Sequence, residues 1–97
     1  MKLTKKDLQS IRAYFRDKPV LRAFLFGSYA RNEAADDSDI DLLVELDYSQ
    51  HIGLGFVDMK LELETMLQKK IDLVSSRAVS KYISPFVDQD KMLIYEK

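Results

Sequence analysis

Apolar residues in this chain change their period again and again, and that alternation limits the fold more than any single residue does. Leu8, Ile11 and Phe15 recur at helical spacing, behind a Thr4–Asp7 start in which a hydroxyl can accept a backbone N–H and an acid suits the helix dipole. Lys18-Pro19 stops the helix, because the residue before proline avoids helical angles, so the spacing predicts a helix over Lys5 to Asp17. Val20 to Phe26 (VLRAFLF) is then a short apolar run between Pro19 and Gly27, the pattern of a buried strand. Ser28 is placed to begin a short helix reaching Ala34. Asp39 to Leu46 reads as a second strand, with Ile40, Leu42 and Val44 on one face and Asp39, Asp41 and Leu43 on the other. After a polar connection, Asp47 to Gly53, the residues Phe56, Met59, Leu63, Met66 and Leu67 mark an amphipathic helix over about Leu54 to Lys69. Its Met59 and Met66 are read as core, and Lys60, Glu62, Glu64 and Lys69 as a solvated face. Ile71 to Ser75 is a third strand, Ser84-Pro85 opens a short helix over Pro85 to Asp90, and Met92 to Tyr95 is a final edge strand.

The order α-β-α-β-α-β-α-β implies helices packed on a sheet, an α/β (α+β) architecture with about four strands. Gly27 closes strand one and Asp39 opens strand two, so a shared site requires those strands to be antiparallel. Asp39, Asp41 and Asp72 lie near the starts of strands two and three, and they meet only if those strands run parallel through a right-handed crossover. The sheet is then mixed. Ninety-seven residues without a linker or repeat fit one domain, residues 1–97. Phe86, Val87 and Ile94 are left to close the core or meet a partner.

Composition removes several function classes. With 15 basic and 16 acidic residues the net charge is -1, so no bulk nucleic-acid binding is expected. No cysteine is present, which excludes a disulfide framework or a thiolate metal site. No apolar run approaches the roughly 20 residues that span a bilayer, and no signal-like stretch follows the N-terminus. The expectation is a soluble, cytoplasmic protein without membrane contact; its oligomeric state is left open.

The chemistry concentrates in Gly27-Ser28, ten further residues, then Asp39-Ile40-Asp41. Gly27 lets the backbone turn sharply and approach a phosphate, and Ser28 offers a hydroxyl at a helix start whose free N–H groups attract an anion. Asp39 and Asp41, two apart on a strand, share a face and can grip one hard cation, with Asp72 joining from the next strand. Three acids on one face repel unless a cation sits among them. A phosphate-facing turn beside such a set is the arrangement of metal-assisted phosphoryl transfer. Taken alone, Asp39 and Asp41 would be an ordinary solvated strand entry, and Asp72 an ordinary strand-end acid; the Gly27-Ser28 spacing favours the functional reading. Arg31 either reaches the bound phosphate or pairs with Glu33 or Asp36, while Asp36 and Asp37 form a solvated turn. His51, a lone histidine in a polar connector, is read as structural. Tyr29 either packs or lies near the bound ligand.

This pattern, with the later Lys70-Ile71-Asp72-Leu73-Val74, resembles the DNA polymerase β-like nucleotidyltransferase superfamily, and within it the minimal nucleotidyltransferases of the MntA-type antitoxins. The resemblance implies that Gly27 and Ser28 bind the triphosphate of ATP, with Arg31 as a further candidate. It also implies that Asp39 and Asp41 hold two magnesium ions, and that Asp72 holds the catalytic one and helps deprotonate the acceptor hydroxyl. The implied partner is a HEPN-domain ribonuclease toxin, inactivated by AMP on a tyrosine. One departure is visible: the family loop often ends G-S-x-A-R-G, where this chain has Asn32, a residue that tolerates left-handed angles. Two alternatives stand beside this reading, an antitoxin that neutralises by binding alone and a transferase acting on a small molecule.

Overall fold

The computed structural model describes residues 3–35, 37–78 and 84–97, with the backbone alone for 84–86. The elements follow as α1 (Lys5–Arg16), β1 (Val20–Phe26), α2 (Gly27–Ala30), β2 (Ile40–Leu46), α3 (Gly55–Leu67), β3 (Ile71–Ser75), a single 3-10 turn (Ser76–Ala78), α4 (Ser84–Asp90) and β4 (Met92–Glu96). Helix α1 starts on a reciprocal cap: Thr4 Oγ1 accepts the Asp7 N–H at 3.0 Å, and the Asp7 carboxylate accepts the Thr4 N–H at 3.4 Å. Its Ile11 and Phe15 are fully buried.

The strands form one mixed sheet in the order β3-β2-β1-β4. β1 is antiparallel to both β2 and β4, while β2 and β3 run parallel, with α3 in the crossover between them. Both expected relations of direction therefore hold. In the parallel pair, Ile40 stands beside Ile71, Asp41 beside Asp72 and Leu42 beside Leu73. That register sends Ile40, Leu42, Val44, Ile71 and Leu73 into the main core with Ile11, Phe15, Met59 and Leu63. Burying one such aliphatic side chain contributes about 1.5–3 kcal/mol.

The opposite face is tiered. Far from Gly27, Arg22 pairs with Glu45 at 2.8 Å and Glu96 at 2.9 Å, tying three strands together. Above it Phe24 stands opposite Leu43, under Lys91, whose ammonium lies 4.9 Å from the Phe24 ring centre. Leu43 is 5% exposed although it shares the face of Asp41; α4 packs against β1, and the 3-10 turn packs against β2. Nearest Gly27, Phe26 is paired with Asp41. The β4 edge is blunted. Ile94 is an extra residue in its pairing with β1, and Arg12 Nε donates to the Ile94 carbonyl at 2.6 Å.

Several boundaries differ from the sequence expectations. The short helix opens at Gly27 and stops at Ala30, because Asn32 takes a left-handed φ of 60° and cannot continue it. β2 begins at Ile40, which leaves Asp39 just ahead of it. α3 ends at Leu67, where Gln68 turns left-handed with φ 56°. Its Met59 is buried, but Met66 is 41% exposed and Val57 and Leu61 also face outward, so the helix carries more apolar residues than its inner face holds. Ile94 closes the core and Val87 of α4 is buried, whereas the Phe86 side chain and Asp36 lie outside the described residues. No described helix is long and apolar enough to cross a membrane.

Candidate active site

The end of β1 and the starts of β2 and β3 form one edge, and the sequence-predicted acids gather there. Register alone puts Asp41 and Asp72 side by side on the face away from the core. Their carboxylates lie within hydrogen-bonding reach of one another. Asp41 is half-buried, and its pKa rises from the usual 3.8 to about 6. Burial is the largest cause, followed by the charges of Asp72 and Asp39, while Arg31 pulls the other way. Asp39 stands exposed ahead of the strand, delivered by a turn in which Ser38 Oγ accepts the Ala35 N–H at 2.8 Å. Asp39 is thus near Asp41 electrostatically, yet no three acidic or imidazole side chains converge as a closed metal-ligating group among the described residues.

Gly27 has a positive φ of 73°, and a β-carbon there would run into the Asp41 carboxylate. The glycine is therefore required twice over, for its backbone angle and for the space Asp41 occupies. Ser28 follows inside the first turn of α2 rather than capping it; its carbonyl accepts the Glu33 N–H at 2.8 Å. Arg31 bridges Glu33 at 3.2 Å and Asp90 of α4 at 2.6 Å, which joins the turn after β1 to the C-terminal helix. Tyr29 packs into the core, and its buried hydroxyl has no hydrogen-bond partner among the described residues. His51 is exposed beside Lys18 and Pro19, at the opposite end of β1 from Gly27.

Nothing in the sequence singles out Asp90, and Glu62 and Glu64 fall on a helix face expected to be solvated. Glu62 is exposed, as expected, and accepts the Tyr14 hydroxyl at 2.6 Å; burial first and this hydrogen bond second raise the Tyr14 pKa. Glu64 accepts the backbone N–H of Ile71 at 3.0 Å. Nothing local in the sequence marks these roles, since each partner comes from a different element.

The family described as Polymerase beta, Nucleotidyltransferase matches residues 9–97. The chain belongs to that family, and it is a nucleotidyltransferase. A Methanocaldococcus jannaschii protein provisionally named a protein adenylyltransferase is 45% identical over 60 residues, which span 62% of this chain and 63% of that one. The protein adenylyltransferase MntA of Thermococcus cleftensis is 32% identical over 90 residues, 88% of this chain and 90% of the relative. A chain from the solved complex of a tri-AMPylated Shewanella oneidensis HEPN toxin with MNT antitoxin superposes with a TM-score of 0.74. That superposition covers 98% of this chain and 74% of the other at 21% identity, a likeness of fold.

Proposed function

We propose that residues 1–97 act as a single nucleotidyltransferase domain that moves AMP from ATP to a tyrosine hydroxyl of a HEPN-domain toxin, and so serve as an antitoxin. The observation that carries this reading is the register that sets Asp41 against Asp72 directly beside the Gly27-Ser28 turn. Like charges forced together, one of them with a raised pKa, make a donor set suited to a hard dication. Magnesium keeps only a few carboxylates and completes its shell with phosphate oxygens and water, so an open set containing Asp39, Asp41 and Asp72 fits it. Two such ions, when bound, would neutralise charge on the triphosphate and on the attacking oxygen.

The chain's own residues then divide the work. The Gly27 backbone and the Ser28 hydroxyl hold the triphosphate, and Arg31 is held by Glu33 and Asp90 where it can meet the same phosphates. Asp72 accepts the proton of the acceptor hydroxyl. The hydroxyl oxygen forms a bond to the α-phosphorus as the bond from that phosphorus to the bridging oxygen breaks, and pyrophosphate leaves. The names of the MntA relative and of the AMPylated toxin complex support a protein acceptor.

The test is intact-protein mass spectrometry of the neighbouring gene's product after incubation with this chain, ATP and magnesium. A gain of one or more AMP units, absent with Asp39→Asn/Asp41→Asn, is the expected result. No gain together with a stable complex that still silences the partner would establish neutralisation by binding alone. Turnover of a small hydroxyl acceptor in place of the protein would establish a small-molecule transferase.

A further inference from the structure

Glu64 sits in the last turn of α3, away from the acids on the opposite face of the sheet, yet its carboxylate reaches the strand that carries one of them. The peptide unit between Lys70 and Ile71 is gripped from both sides. Its carbonyl, on Lys70, accepts the Ile40 N–H of β2 at 2.9 Å. Its N–H, on Ile71, points outward where β3 is the edge of the sheet, and Glu64 Oε2 accepts it at 3.0 Å. Asp72 is the next residue. The Glu64 carbonyl also accepts the Gln68 N–H at 2.9 Å, and Lys60 lies 3.5 Å from the carboxylate, so the group is fixed at both ends. The Ile71 hydrogen bond is also the main reason that the Glu64 pKa is lowered, which keeps it an acceptor.

We propose that Glu64 is a positioning residue for nucleotidyl transfer: by locking the Lys70–Ile71 peptide at the start of an edge strand, it sets Asp72 opposite Asp41. The inference rests on the reading that Asp72 serves the transfer. An edge strand has partners on one side only, so its first peptide is where fraying begins. A displacement of about 1 Å at a reacting group can lower a rate by as much as 100-fold. The triphosphate turn lies on β1, on the other side of β2, and does not depend on this lock.

The experiment compares Glu64→Ala, Glu64→Gln and Glu64→Asp with the wild type. It follows amide exchange at Ile71, the melting temperature and the AMP-transfer rate. Glu64→Ala is expected to speed Ile71 exchange at least tenfold, and to slow transfer by about tenfold or more while the KM for ATP stays within about twofold. Glu64→Gln keeps an acceptor oxygen and should restore both. Glu64→Asp keeps the charge but loses reach, so it should behave like alanine; this pair carries the test if the alanine variant does not fold. Wild-type transfer by Glu64→Ala, with Asp72→Asn inactive, would overturn the inference alone. So would a Glu64→Gln variant as slow as Glu64→Ala, since charge rather than the hydrogen bond would then be acting. Normal transfer by Asp72→Asn would overturn the role of Asp72 and this inference together.

Discussion

On the inner face of the β2–β3 pair, Ile40, Leu42, Ile71 and Leu73 are at most 7% exposed, whereas on the outer face of the same residues' neighbours Asp41 meets Asp72. The two faces share one register and have opposite energetics. Apolar contacts on the inner side are what choose the register, because a slip of one residue would turn every one of them to the outside. The acids inherit that choice. Two carboxylates that repel are held together by packing they take no part in, and that separation lets a small domain carry an unfavourable charge pair.

Damage to the inner face should therefore act on stability and damage to the outer face on chemistry. Leu42→Ala is expected to lower stability by about 2–5 kcal/mol in urea unfolding, with transfer per folded molecule nearly unchanged. A proportionate loss of transfer in the folded fraction would mean that the faces are not separable. Gly27→Ala strikes the outer side, since its β-carbon meets the Asp41 carboxylate and its φ is 73°. Transfer should fall by about 100-fold, measured as the rate of AMP incorporation at saturating ATP.

Asp41 reverses the usual sign. Its folded pKa of about 6 lies above the usual 3.8, so without a cation the native state binds the extra proton and loses stability as pH rises from about 4 to 6. Asp41→Asn should accordingly be more stable than the wild type at pH 7 by roughly 1 kcal/mol, a figure reduced for solvent screening of a half-buried group. The difference should vanish toward pH 4, and melting curves in a chelating buffer would read it. A cation competes with the same proton, so the magnesium-dependent rise in melting temperature should fade as pH drops below about 6. An asparagine variant less stable at pH 7 would mean that Asp41 is favourably paired.

The smallest effect is expected where the faces meet. Tyr29 follows Ser28 in sequence but packs with the core, and its buried hydroxyl has no partner among the described residues. Tyr29→Phe should leave stability unchanged or raise it by up to about 1 kcal/mol, as calorimetry would show. A clear loss would reveal a hydrogen bond to that hydroxyl.

Much of this was legible in the sequence because it is local. Periodicity and bounding Pro19 and Gly27 delimit β1, and the short run Ile71–Ser75 is β3 from end to end. The Gly27-Ser28 and Asp39-Ile40-Asp41 spacing, with Asp72, also implied strand directions that the sheet bears out. Local pattern could not tell that Met66 faces outward or that Leu43 is buried beside exposed acids, since either face of an amphipathic element can be covered by a distant part of the chain. Nor could it join Arg31 to Asp90 across 59 residues, or Glu64 to the Ile71 amide. The sequence by itself determined which segments are helices and strands and which acids could share an edge, because apolar period and turn residues act over a few positions. Only the tertiary structure decided which groups hold those acids in place, because hydrogen bonds and ion pairs depend on distances that the packing of the whole sheet sets.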